Sequence, residues 1–143
     1  MKWYFASRTR HKSKIGLLKK ILEDNNNSVT FDWTSIDGFN PSIDDYRRYK
    51  KIFEKISKSV SDADIFVLIS DSDGTDMFVE LGIAINNHLN KNFPKKIYVV
   101  GKYNKRSLMH FHPSITHVSS IKDVFYREIP EVLNEEILDK INL

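Results

Sequence analysis

Residues 63–82 of the chain, ADIFVLISDSDGTDMFVELG, decide the fold. The run from Ala63 to Ser70 is almost continuously apolar, which is typical of a central strand buried on both faces of a parallel sheet. A short acidic loop with one glycine follows it. An amphipathic helix then begins at Thr75 or Asp76, either of which is a natural N-cap. A strand, a tight loop and a helix in this order predict one unit of an α/β protein.

The segments on both sides repeat this alternation of strands and helices. The predicted strands are residues 2–7, 29–33, 63–70, 96–101 and 115–118, and the predicted helices are residues 14–24, 42–61, 76–89 and 121–141, the last interrupted at Pro130. This order predicts a doubly wound, mainly parallel five-stranded sheet of the flavodoxin-like or Rossmann-like kind, in a three-layer α/β/α arrangement. A chain of 143 residues fits one core, so we expect residues 1–143 to form a single domain.

Composition restricts the class of function. Hydrophobic residues make up 41% and charged residues 29% of the chain, the balance of a soluble globular protein. The net charge is only +3, which argues for a small anionic ligand and against a nucleic acid, whose partners concentrate basic residues on one face. Cysteine is absent, so disulfides and thiolate metal sites are excluded. Because neither a signal-peptide pattern nor a membrane-length apolar run is present, we expect a cytoplasmic protein that does not bind membranes.

Glu80 is the leading candidate for chemistry. In doubly wound sheets, ligands bind beyond the carboxyl ends of the strands, where the strand order reverses. Glu80 lies about one turn into the helix that starts there, and its side chain leans back toward the helix N-terminus, whose dipole favours the ionised form. Tyr4, at the end of a neighbouring strand, is placed to hydrogen-bond it. Such a carboxylate can attack or stabilise an anomeric carbon while a base leaves, although a capping or solvated glutamate is the alternative interpretation.

The segment GTDMFVELG, residues 74–82, resembles the signature of the nucleoside 2-deoxyribosyltransferase superfamily, which also contains the 2'-deoxynucleoside 5'-monophosphate N-glycosidases. The strand that contains Tyr4 and the segment Ser107-Leu108-Met109 resemble further family features, so that the similarity spans roughly residues 3 to 125. The resemblance implies that Glu80 is the nucleophile and that Tyr4 contacts it. It also implies a base pocket lined by Asp32 and Trp33.

Within that family, two features of the chain resemble the monophosphate hydrolases. Ser107 stands where the transferases carry asparagine and where the hydrolases carry a phosphate-binding serine. The hydrolases also place serine and arginine after the first strand. The resemblance therefore implies a phosphate site, for which the candidates are Ser7, Arg8, Arg10, Gly74, Thr75 and Ser107. It also implies that the segment with Ser107 and Met109 reaches into the active site of a neighbouring subunit. An arginine fork with hydroxyl groups suits a phosphate, although a solvated basic turn is the alternative for the arginines.

One family residue is missing from the chain. The family carries an aspartate in the helix before the third strand, where this chain has Ile56, with Glu54 as a possible substitute. Asp73 and Asp76 are alternative general acids, because a carboxyl group close to another carboxylate has a raised pKa. A capping role is equally open for both. His110 and His112 lack a third ligand, so we expect no metal site.

The resemblance implies an N-glycosidase that hydrolyses (deoxy)nucleoside 5'-monophosphates without a cofactor, in a homodimer or higher homo-oligomer with shared active sites. Two alternatives within enzymes are transfer of 2-deoxyribose between bases and cleavage of a dinucleotide such as NAD. An alternative of another class is a nucleotide-binding or sensor module without catalysis, since the doubly wound fold serves many binders.

Overall fold

The computed structural model describes residues 1–36 and 46–141. Within these ranges the strands are β1 (Lys2–Ala6), β2 (Ser28–Val29), β3 (Ile65–Ile69), β4 (Lys96–Val100) and β5 (Ile115–Val118). The α-helices are α1 (Lys12–Asp24), α2 (Tyr46–Asp62), α3 (Asp76–Lys91), α4 (Ile121–Glu128) and α5 (Glu135–Lys140). Short 3-10 helices cover Thr9–His11, Trp33–Ser35, Leu108–Phe111 and Pro130–Val132.

The five strands form one parallel sheet in the order β2-β1-β3-β4-β5. The predicted doubly wound sheet is therefore confirmed. The chain moves from β1 outward to β2 and then returns to the other side of β1 with β3, so the strand order reverses between β1 and β3. Ala6 of β1 pairs with Leu68 of β3, which brings the carboxyl ends of these strands side by side. Ligands of such sheets bind at this reversal point.

Both faces of the sheet are buried, as the apolar run of β3 predicts. Alternate residues of a strand point to opposite faces. Trp3 and Phe5 pack in a core with α1 and α4, whereas Tyr4 and Ala6 pack in a second core with α2 and α3. The strand period therefore directs Tyr4 toward α3, the helix that carries Glu80.

The largest departure from the predicted elements is in β2, which has two residues where the sequence predicts five. Phe31 is buried in the second core. Asp32 then starts a 3-10 turn by accepting a hydrogen bond from the amide of Thr34 at 3.1 Å. This local side-chain bond competes with the sheet ladder and ends the strand early. The predicted helix start near Ser42 lies outside the described residues.

The end of the chain follows the prediction more closely. The short strand β5 is present, and the final helical region is interrupted by a 3-10 turn at Pro130. In the two described ranges, no helix combines the length and apolar character that crossing a membrane requires.

Candidate active site

A cavity of about 680 Å³ lies at the reversal point of the sheet. This volume falls within the range of about 300 to 1,000 Å³ that small-molecule sites occupy. Its walls come from the loop after β1, the Trp33–Ser35 turn, α2 and the first two turns of α3. The lining residues are Ser7, Arg8, Thr9, Trp33, Tyr49, Ile52, Phe53, Ile56, Gly74, Thr75, Asp76, Met77, Val79, Glu80 and Ile83.

Glu80 lines this cavity and is held by Tyr4. The Tyr4 hydroxyl donates a hydrogen bond to Oε1 of Glu80 at 2.8 Å, as the sequence predicts. The Tyr4 ring is fully buried and stacks on Phe66, with ring centroids 5.6 Å apart and planes inclined by 4°. Burial and the adjoining Glu80 raise the pKa of Tyr4 well above its usual value, so the phenol stays protonated and remains a donor.

The protonation of Glu80 departs from the simple dipole argument. The pKa of Glu80 is raised from 4.5 to about 7, with burial as the largest cause. Within that net shift, the hydrogen bond from Tyr4 acts to lower the pKa and the negative charge of Asp76 acts to raise it. Loss of water therefore outweighs the helix dipole, which predicted an ionised carboxylate. At neutral pH both protonation states of Glu80 are populated.

Gly74 sets the position of Arg8. Gly74 has φ of 96°, a conformation that side chains with a Cβ rarely adopt. A Cβ on Gly74 would lie only 2.6 Å from Cδ of Arg8. The aliphatic stem of Arg8 therefore passes directly over the glycine, along the wall of the cavity.

Arg10 binds the acidic loop instead of lining the cavity. Its Nη2 lies 2.8 Å from Oδ2 of Asp73, and its Nε lies 3.3 Å from Oδ2 of Asp71. His11 contacts the same Asp71 oxygen at 3.0 Å. Burial acts to raise the pKa of Asp71, but the Asp73 amide, His11 and Arg10 outweigh it and hold the pKa below its usual value. Neither Arg10 nor Asp73 lines the cavity.

The two carboxyl groups suggested as general acids are thus separated by the fold. Asp76 lies on the cavity wall, one helical turn before Glu80, and its charge acts on Glu80. Asp73 is engaged by Arg10. Ile56 also lines the cavity and makes that part of the wall apolar.

Trp33 and Asp32 have different positions. Trp33 lines the cavity, and its Nε1 donates a hydrogen bond to the carbonyl of Phe5 at 2.9 Å, which fixes the indole against the sheet. Asp32 forms an ion pair with Lys19 at 3.1 Å and does not line this cavity. The structure therefore brings Trp33, but not Asp32, to the same space as Glu80.

Ser107 and Met109 lie outside the cavity of their own chain. The Ser107 hydroxyl accepts a hydrogen bond from the Met109 amide at 3.2 Å and caps the 3-10 helix Leu108–Phe111. The apolar side chains of this helix are exposed: 86% for Leu108, 49% for Met109 and 57% for Phe111.

Sequence reasoning missed Arg106, which connects this segment to the acidic loop. Its Nη2 donates hydrogen bonds to the carbonyls of Asp73 at 3.2 Å and Gly74 at 3.1 Å. Its guanidinium lies 4.9 Å from the centroid of the Phe78 ring. An arginine in a stretch without periodicity gives no sequence signal for such contacts.

Sequence reasoning also missed the wall formed by α2. Tyr49, Ile52, Phe53 and Ile56 recur at helical spacing and line the cavity together. The spacing does identify Tyr49, Phe53 and Ile56 as one face of an amphipathic helix, but the pattern alone does not distinguish a cavity wall from core packing. Among the described residues, no group of three or more His, Asp and Glu side chains is arranged to hold a metal ion.

The fold is similar to the solved structure of the Clostridium botulinum CMP N-glycosidase BcmB. The TM-score is 0.56, the sequence identity is 14%, and the match covers 92% of this chain and 99% of that chain. At this identity the likeness shows the fold alone, and it confirms the fold that the sequence resemblance implied. No family model matches the sequence. No curated protein matches it either.

Proposed function

We propose that the chain is an N-glycosidase that cleaves nucleoside 5'-monophosphates through Glu80. The observation that carries the proposal is the Tyr4–Glu80 hydrogen bond on the wall of a nucleotide-sized cavity at the sheet's reversal point. A half-buried carboxylate with a pKa of about 7 retains an ionised fraction at neutral pH and is only partly solvated. Both properties suit attack on a sugar carbon.

The proposed reaction has two steps. One oxygen of the Glu80 carboxylate bonds to C1' as the C1'–N bond breaks, and the bonding electron pair leaves with the base, which takes up a proton. Tyr4 holds the other oxygen and orients the carboxylate. Water then attacks C1' and gives up a proton to Asp76, Glu80 leaves as the carboxylate, and ribose 5-phosphate or its deoxy form is released.

We propose that Asp76 gives its proton to the leaving base in the reactive form, in which Asp76 is protonated and Glu80 is ionised. It shares the cavity with Glu80, whereas Asp73 is held by Arg10. This assignment selects one of the two acids that the sequence leaves open.

We assign the phosphate to the loop after β1. Ser7, Arg8 and Thr9 line the cavity there, opposite Gly74 and Thr75. Arg10 can reach a phosphate only by leaving Asp71 and Asp73, so its proposed role is to hold the acidic loop in place. The base would stack on Trp33, with Tyr49 and Phe53 beside it.

A second copy of the chain is the proposed source of Ser107 and Met109. Neither residue lines the cavity of its own chain, and the 3-10 helix that carries them exposes Leu108 and Phe111. Apolar side chains exposed together are typical of an interaction surface. In a homodimer this helix would cover the partner's cavity and complete its phosphate site.

The experiment is a base-release assay with CMP, dCMP, cytidine and NAD, read by chromatography. Wild type should release base from a monophosphate and not from cytidine. Glu80→Gln should lower the rate about a thousandfold or more, since it removes the nucleophile. Glu131→Gln, at an exposed glutamate outside the cavity, is the matched control and should behave as wild type. Failure of wild type to release base from any substrate would contradict the proposal.

A second free base in the same assay separates hydrolysis from transfer. A new nucleoside would identify a deoxyribosyltransferase, whereas release of base alone supports the hydrolase.

One observation favours a non-catalytic nucleotide-binding module as second candidate. Ile56 makes the wall apolar at the position where the resembling family has its aspartate. Binding of CMP by Glu80→Ala, measured by calorimetry, distinguishes the two. Equal binding by both proteins without any turnover by wild type would support the binding module.

A further inference from the structure

A second cavity, of about 810 Å³, lies beside the first half of α2. Its opposite wall is the segment between β2 and the end of the Trp33–Ser35 turn. The lining residues are Thr30, Phe31, Asp32, Ser35, Ile36, Arg47, Arg48, Lys51, Ile52 and Lys55. Four of these residues are cations, all from α2, and one is a carboxylate.

The carboxylate, Asp32, is already paired. Its Oδ2 lies 3.1 Å from Nζ of Lys19 on α1, and its Oδ1 accepts a hydrogen bond from the Thr34 amide. The charge of Asp32 is therefore directed to α1. Lys58, the next lysine along α2 after Lys55, is paired with Asp62 and does not line the cavity. The charged side chains of α2 that line the cavity are therefore all basic.

The spacing of the cations indicates the size of the anion they suit. Arg47, Lys51 and Lys55 are four residues apart, so they lie on one face of the helix. With a rise of 1.5 Å per residue, the row extends about 12 Å along the axis. Like charges at this spacing repel one another. A single phosphate group is too small to contact all three, whereas a chain of linked phosphates can.

We propose that this cavity is a second anion-binding site that takes a polyphosphate, supplied either as an inorganic ion or as the triphosphate of a nucleotide. The row of three cations is only about 12 Å long, which favours a small molecule over a nucleic acid strand. The two cavities share Ile52. They also share the Trp33–Ser35 turn, since Trp33 lines the first cavity and Ser35 the second. A ligand in the second cavity therefore contacts the same elements that form the base-binding wall of the first cavity. The base-binding role of that wall rests on the proposed function.

Binding is tested by calorimetry on the full chain with inorganic triphosphate, ATP and adenosine, in the absence of substrate. Lys51→Glu and Lys55→Glu should each weaken triphosphate binding about tenfold or more, because each replaces a charge-assisted contact with repulsion. Lys50→Glu is the matched control, since Lys50 is exposed on the same helix but does not line the cavity. It should change the affinity less than about twofold, because the Lys50 side chain leaves the helix about 100° away from that of Lys51 and its charge is screened by solvent.

The arms of the experiment separate the sources. Equal affinities for ATP and triphosphate would indicate that only the phosphates are recognised. Tighter binding of ATP would indicate that the ligand is a nucleotide. Circular dichroism checks each fold. If a charge-reversal variant fails to fold, Lys51→Gln takes its place. Lys51→Gln should lose less triphosphate affinity than Lys51→Glu but more than Lys50→Gln.

Three results would overturn the proposal. The first is equal weakening by Lys50→Glu and Lys51→Glu, which indicates general charge attraction. The second is loss of triphosphate binding in Arg8→Ala but not in Lys51→Glu, which places the ion in the first cavity. The third is binding of a single-stranded RNA oligonucleotide about a hundredfold more tightly than ATP with the same variant pattern. Because no arm requires turnover, failure of the proposed glycosidase activity leaves these results interpretable.

Discussion

The phenol of Tyr4 on β1 and the carboxylate of Glu80 on α3 are joined by a 2.8 Å hydrogen bond across 76 positions of sequence. The contact links the two elements that flank the reversal point of the sheet. It also opposes the effect of burial on the pKa of Glu80. Besides burial, one donor and one neighbouring charge act on the protonation state of the proposed nucleophile, and these two can be removed separately.

Removing the donor should raise the pKa of Glu80 above its value of about 7. In Tyr4→Phe the buried ring remains, but the hydroxyl that stabilises the carboxylate is lost. The acidic limb of the kcat/KM profile should move to higher pH, and activity at pH 7 should fall about three- to tenfold and recover near pH 9. Tyr126→Phe, at an exposed tyrosine, serves as the control. An acidic limb at the wild-type pH would show that the hydrogen bond does not control ionisation.

Removing the neighbouring charge should have the opposite effect. Asp76 raises the pKa of Glu80, so Asp76→Asn should move the acidic limb to lower pH. If Asp76 also supplies the proton for the leaving base, the maximum rate falls as well, by about 10²- to 10⁴-fold. The pH profile of kcat/KM reports both effects independently. An acidic limb that moves to higher pH, or does not move, would contradict the proposed interaction between Asp76 and Glu80.

Glu80 should also destabilise the folded protein, by an amount that increases with pH. Its pKa is 4.5 unfolded and about 7 folded, so the folded state binds more protons between these values and stability falls as pH rises through them. Above pH 7 the cost approaches about 3 kcal/mol at most. In urea unfolding, Glu80→Gln should therefore be more stable than wild type at pH 8 and similar to it at pH 4. Glu131→Gln should follow wild type throughout, and a stabilisation independent of pH would contradict the ionisation argument.

The sheet and the position of Glu80 could be predicted because local signals and tertiary structure agree. The apolar run of β3 is buried throughout, and the helix directly after its loop carries Glu80 to the reversal point. The strand period alone places Tyr4 on the face of α3. A fold can be predicted from sequence where the local pattern and the tertiary packing favour the same structure.

The remaining site could not be predicted because it depends on competition between partners. Arg8 and Arg10 are both basic and two positions apart, yet one lines the cavity and the other binds Asp71 and Asp73. Their difference arises from the carboxylates that the loop after β3 presents, which no local pattern specifies. The pKa of Glu80 likewise depends on burial by distant elements.

The close approach of Gly74 to Arg8 gives the last prediction. In Gly74→Ala the new Cβ would lie 2.6 Å from Cδ of Arg8, and the alanine would have to adopt a positive φ. Either the loop backbone becomes strained or the Arg8 side chain moves. Stability should fall by about 1 to 3 kcal/mol, and KM for a nucleoside monophosphate should rise, because Arg8 is the proposed phosphate ligand. Gly82→Ala is the matched control: nothing lies within 4 Å of its added Cβ, and in mid-helix it should stabilise the fold by about 0.5 to 1 kcal/mol. Calorimetric melting and steady-state kinetics measure both effects. An unchanged KM in a destabilised Gly74→Ala protein would show that Arg8 does not hold the phosphate.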